Sequence, residues 1–147
     1  MTNEFLAAAV AEAKLGLEEG GFPIGAVLVL DGEVIGGGRN RRFQRGSCVF
    51  HAVTDCLERA GRLTAKDYRR SALYTTLSPC DMCAGAILLY RIPRVVIGDN
   101  RHFRGPEQYL EVRGVQVEVC HDEKCRRLLD QYVRKHPGLW KEYIGLK

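Results

Sequence analysis

Leu73-Tyr74-Thr75-Thr76-Leu77-Ser78-Pro79-Cys80-Asp81-Met82-Cys83 is the stretch that decides the fold. Leu73 to Leu77 is rich in apolar and β-branched residues and predicts a strand that stops at Ser78-Pro79. Proline ends that strand, so Cys80 falls in the first turn of a helix running to about Tyr90, before Pro93. Cysteines at i and i+3 share a helix face, where both sulfurs reach one ion. The positive end of the helix dipole favours the thiolates that a metal requires. A C-x-x-C alone also suits a redox pair, but this one follows a strand late in the sheet, not the first strand of a thioredoxin-like unit.

Upstream, His51 opens a second predicted helix that runs to about Ala60 and closes at Gly61. Two helix N-termini facing each other would bring His51, Cys80 and Cys83 together. Three protein ligands leave a fourth tetrahedral position open, the arrangement of catalytic rather than structural zinc. Further out, Asn3 to about Glu19 sets Leu6, Val10, Ala13 and Leu17 on one helical face, with Gly20-Gly21 as the stop. Ile24–Leu30 and Glu33–Gly37 flank Asp31-Gly32, a strong two-residue hairpin signal. Arg94–Gly98 and Val115–Val119 read as further strands. Asp122 caps a helix to Lys135, and a short helix after Pro137 carries Trp140, Tyr143 and Ile144. One hairpin followed by alternating strands and helices predicts an α/β fold: a three-layer α/β/α sandwich on a mixed five-stranded sheet.

The 147 residues fit one domain spanning 1–147, with 46% hydrophobic and 27% charged residues as in ordinary globular chains. The apolar run Ala84–Tyr90 is too short to span a bilayer, and no basic-then-apolar leader stands at the start. The expectation is a cytoplasmic protein with no membrane partner. Six cysteines in such a chain argue against a disulfide framework. Cys48, Cys56, Cys120 and Cys125 read mostly as small buried apolar residues. A net charge of +4 is too mild for a strong nucleic-acid footprint. The one basic cluster, Arg39, Arg41, Arg42 and Arg45 around Phe43, reads as a loop contacting its own fold or a dimer partner.

The pairing of a histidine with P-C-x-x-C resembles the H-x-E…P-C-x-x-C signature of zinc nucleobase deaminases. The chain looks most like the bacterial and fungal cytosine deaminases, in the cytidine and deoxycytidylate deaminase superfamily, and does so over nearly its whole length. Gly21–Gly25, Gly38–Gln44, Thr75–Cys83, Arg91–Arg94 and Leu139–Gly145 carry the likeness. It implies a cytidine deaminase-like fold and a homodimer in which Zn²⁺-activated water attacks the amino-bearing carbon of a small heterocycle and ammonia leaves. It also implies that Asn40 holds the carbonyl edge of the ring. Ile24, Ala52, Phe103, Trp140 and Ile144 would surround the base, and for Trp140 core packing is an equal reading.

The pattern breaks at two positions. His51-Ala52-Val53 stands where the family has H-x-E, so valine occupies the general acid/base position. Losing such a group costs roughly 10²–10⁴-fold. Asp55, Asp81 and Glu142 have counterparts of their own in the family and are not expected to replace it. Tyr143 stands where cytosine deaminases carry an aspartate against the polar edge of the ring, so it is the second altered substrate-binding residue. Three readings stay open: an enzyme with altered proton handling, a zinc-binding pseudoenzyme acting as sensor or partner subunit, and an engineered inactive variant. Non-catalytic partner subunits of eukaryotic transfer-RNA adenosine deaminases carry a similar H-x-V segment.

Overall fold

The computed structural model describes residues 3–145. The elements are α1 (Glu4–Glu18), β1 (Gly25–Leu30), β2 (Glu33–Arg39), α2 (Arg42–Arg45), α3 (Ala52–Ala60), α4 (Ala65–Tyr68) and β3 (Ser71–Leu77). They continue with α5 (Asp81–Tyr90), β4 (Arg94–Asp99), α6 (Glu107–Val112), β5 (Gln116–Val119), α7 (Glu123–Lys135) and α8 (Pro137–Tyr143). The five-stranded sheet has the order β2-β1-β3-β4-β5. β1 runs antiparallel to β2 and β3, while β3, β4 and β5 run parallel. This is the mixed α/β sheet expected from the sequence.

Strand side chains alternate between two apolar layers, as period-2 geometry requires. Leu28, Leu73, Leu77, Val95 and Ile97 join Ala52, Val53 and Cys56 of α3 and Cys83, Ala84 and Ile87 of α5 on one face. Val27, Val29, Tyr74 and Val96 join Leu6, Ala9 and Val10 of α1 and Cys125 of α7 on the other. The hairpin turn has positive φ at both Asp31 (52°) and Gly32 (80°), the primed geometry that matches strand twist. Asp122 caps α7, its carboxylate accepting from the Cys125 N–H at 3.0 Å.

Three short helices, α2, α4 and α6, lie in stretches that the sequence reading left as loops. Runs of four to six residues are too brief to show a helical hydrophobic period. β2 also extends two residues past the predicted Gly37, to Arg39. His51 and Cys80 are N-cap residues, one position before their helices begin.

The basic cluster is consumed internally. Arg39 bridges Glu12 and Glu19 at 2.8 Å each, and Arg41 meets Asp55 at 2.9 Å. The Arg45 guanidinium lies over the Phe50 ring. Cys56 and Cys125 are buried, Cys120 is half-buried, Cys48 is exposed, and all four are free thiols. Burial pushes the Cys56 thiol up to about 12, so it packs as an apolar group.

Gly38 of β2 sets how closely α3 approaches the sheet. A Cβ there would land on the backbone of Asp55 and Cys56, inside van der Waals contact. Gly38→Ala is expected to push α3 outward and cost about 1–3 kcal/mol of stability. Urea unfolding would show a lower midpoint with an unchanged slope.

Candidate metal centre

The loop before α3 and the turn after β3 end at the same place. The His51 N–H is accepted by the Thr54 hydroxyl at 2.9 Å, and the Thr54 hydroxyl donates to the Val49 carbonyl. These bonds fix the start of α3 and with it the imidazole. On the other side Pro79 ends the strand segment, Cys80 caps α5, and Cys83 sits in the first turn of that helix. His51 Nδ1 lies 3.3 Å from Cys80 Sγ and 3.7 Å from Cys83 Sγ. Among the described residues, these three form the one cluster of potential metal ligands, with all donor atoms within 4.8 Å of one another.

The donor set fits Zn²⁺. Tetrahedral bonds of about 2.3 Å to sulfur and about 2.05 Å to nitrogen place an N···S pair roughly 3.6 Å apart. The observed 3.3 and 3.7 Å bracket that separation. The Cys80 thiol is already polarised toward binding. Hydrogen bonds from Cys83 and His51 hold the Cys80 thiol far below its ordinary value, at about 4. Cys83 is pushed strongly upward by the hydrogen bond to Cys80, by burial and by the charge on Cys80. Two thiolates side by side repel each other, and a bound dication offsets that cost.

A cavity of about 560 Å³ opens over the cluster. It lies at the carboxyl ends of β3 and β4, where open α/β sheets take their ligands. His51, Cys80 and Cys83 line it, together with six residues expected from the sequence: Ile24, Ala52, Val53, Phe103, Trp140 and Ile144. Tyr143 lines it too, its ring centroid 5.3 Å from that of His51. Trp140 fulfils both readings, since it is 5% exposed, packs in the main core and still faces the cavity.

Asn40 is placed differently. It is fully buried and does not line the cavity. Its Nδ2 donates to the Tyr143 hydroxyl at 2.9 Å, and its Oδ1 accepts from the Arg42 N–H at 3.0 Å. The amide is spent inside the protein. The reason lies in Tyr143: a phenol here extends to the amide and covers it.

The sequence reading missed the wall formed by Thr75, Leu77, Ser78 and the loop Arg104-Gly105-Pro106. That loop is tied down through Ser78, whose hydroxyl donates to Glu107 at 2.6 Å and accepts from the Gly105 N–H at 2.9 Å. A Cβ on Gly105 would strike the Pro79 carbonyl, so the glycine permits the close approach. The signal available in sequence was Gly105-Pro106 following a strand, read with the rule that ligands sit at strand carboxyl ends.

Val53 is 2% exposed and lies in the cavity wall. Asp55, one turn beyond His51, does not face the metal ligands. Its carboxylate accepts from the Arg39 N–H at 3.0 Å and the Arg41 Nε at 2.9 Å. Glu142 is exposed, with Arg42 3.8 Å away.

A three-ligand site with an open corner on a cavity defines a metal-dependent enzyme architecture. The comparisons with known proteins give it a family. Residues 1–99 match the cytidine and deoxycytidylate deaminase zinc-binding region. A cytosine deaminase of Candida albicans is 44% identical over 141 residues, covering 95% of this chain and 94% of that protein. A tRNA-specific adenosine deaminase of Streptococcus pyogenes is 36% identical over 113 residues, covering 74% of this chain and 69% of the relative. A solved structure from work on A-to-I editing by tRNA:A34 deaminases superposes with a TM-score of 0.72 at 30% identity, over 86% of this chain and 99% of its own. The chain belongs to the cytidine and deoxycytidylate deaminase zinc-binding family.

Purified protein is expected to carry about one Zn²⁺ per chain, and Cys83→Ala to lose most of it. Metal analysis after gel filtration checks this; equal zinc in both proteins would remove Cys83 from the site.

Proposed function

We propose that this chain is a zinc-dependent, nucleobase-type deaminase by architecture, holding an amino-substituted heterocycle against the metal with its hydrolytic step impaired. The observation that carries the reading is the position of Val53. It stands two residues after the ligand His51, buried in the wall of the cavity that the metal ligands open into.

His51, Cys80 and Cys83 would hold the ion, which when bound supplies an activated water for attack on the amino-bearing ring carbon. The apolar walls Ile24, Phe103 and Trp140 sandwich a flat ring and exclude bulk water. The reaction exchanges a ring C–NH₂ for C=O and releases ammonia, so a proton must reach the leaving amine. No titratable group at position 53 delivers it, and the nearby carboxylate Asp55 is locked in its pair with Arg41. The penalty is about 10²–10⁴-fold in rate.

The same apolar wall favours a second reading, a subunit or sensor that binds zinc and a ring without turnover. In either case the protein would work in the cytoplasm as a homodimer acting on small molecules. An exposed apolar strip of Val49, Leu89 and Tyr90 beside a groove between α3 and α5 supports self-association.

Val53→Glu is expected to raise ammonia release by about 10²–10⁴-fold on at least one ring from a panel of aminopyrimidines, aminopurines, aminotriazines and creatinine-like rings. Wild type that binds a ring and releases no ammonia supports the second reading. A Val53→Glu protein that retains zinc and deaminates nothing overturns the deaminase reading.

A further inference from the structure

Tyr143 closes one side of the cavity, and its hydrogen-bond geometry is decided by groups outside it. Arg42 offers a backbone N–H, which only an acceptor satisfies, so the Asn40 amide must turn its Oδ1 there (3.0 Å). The Asn40 NH₂ then faces Tyr143, and the phenol oxygen is the acceptor of that 2.9 Å bond. The phenol hydrogen is therefore free to point elsewhere, and among the described residues it has no acceptor. The ring is clamped by Phe22 (centroids 4.6 Å apart, 33° between planes) and Trp140 (5.8 Å), with the Arg42 guanidinium 5.8 Å from its centroid.

The other hydroxyls on the cavity wall are occupied. Thr75 donates to the Leu77 carbonyl at 2.8 Å, and Ser78 is held between Glu107 and Gly105. Among these three wall hydroxyls, the half-buried Tyr143 is the one with a donor to spare beside the metal ligands.

We propose that the Tyr143 hydroxyl is the specificity-determining donor of this site, aimed by Asn40 as a positioning residue. The cavity accordingly selects flat heterocycles that present an acceptor, a bare ring nitrogen or carbonyl oxygen, toward α8. An N–H at that edge would face the phenol hydrogen and be rejected. The inference rests on the ring-binding reading above and adds the chemical class of ring.

The test is equilibrium binding to the zinc-loaded protein, with 4-aminopyrimidine as the acceptor-edged ring and aniline as its carbocyclic counterpart. Wild type should prefer 4-aminopyrimidine, and Tyr143→Phe should lower that preference about tenfold, the worth of one buried hydrogen bond. Comparing both rings on both proteins cancels changes common to the two ligands. Tyr143→Phe keeps the packing on Phe22 and its zinc content should match wild type, while its melting temperature should fall because the fully buried Asn40 Nδ2 loses its acceptor. Asn40→Ala should weaken the preference by a smaller factor, since it frees the phenol without removing it. A preference that survives Tyr143→Phe, or that Asn40→Ala abolishes while Tyr143→Phe leaves it intact, overturns the proposal and spares the ring-binding reading. Failure of wild type to bind either ring overturns both.

Discussion

Two sulfurs and an imidazole nitrogen within 4.8 Å of one another are costly to bring together without a cation. The hydrogen bond between the two thiols favours the thiolate on Cys80, while burial and the neighbouring sulfur disfavour it on Cys83. Everything around the site serves to hold these atoms in place before the ion arrives. Both His51 and Cys80 are N-caps, so each sits where unpaired helix N–H groups create positive potential. The helices converge because α3 lies against β2 through Gly38 and α5 follows directly from β3. Metal affinity and fold stability are therefore linked, since the ion stabilises the arrangement that creates its site.

The roof of the cavity comes from the other end of the chain. Phe22, fully buried in the turn before β1, touches Phe43, Tyr132, Trp140 and Tyr143 with centroid separations of 4.6–5.9 Å. This aromatic hub fastens α7 and α8 to the segments that carry Ile24 and Asn40. Without it α8 would have little to pack on, because a seven-residue helix is too short to be stable alone. The cavity wall and the C-terminal packing thus use the same side chains, which is why Trp140 belongs to both core and cavity.

The parts of this site that sequence revealed are those encoded by short spacing. Pro79-Cys80-x-x-Cys83 follows from a strand stop and one helical turn. The Asp31-Gly32 turn and the Asp122 cap are equally local. His51 needed one further step, since its partner lies 29 residues away, and the resemblance to a known signature supplied it. Asn40 shows where this kind of reasoning runs out. Its role is set by Tyr143, 103 residues distant, and no local period reports whether an amide faces a cavity or a neighbouring phenol. Arg39 and Arg41 make the same point for charge. Their partners Glu12, Glu19 and Asp55 lie on two separate helices and their ends, so a cluster that looks like a basic patch in sequence is a set of internal ties.

Val53 and Tyr143 together change what the cavity asks of a ligand. A carboxylate beside the metal ligands would be a buried charge that needs partners, and valine removes that requirement. An apolar wall beside the ion also lowers the local dielectric, which strengthens every remaining polar contact at the site. The phenol of Tyr143 is then the main neutral polar feature near the metal, and burial keeps it protonated, with its pKa raised well above the ordinary phenol value.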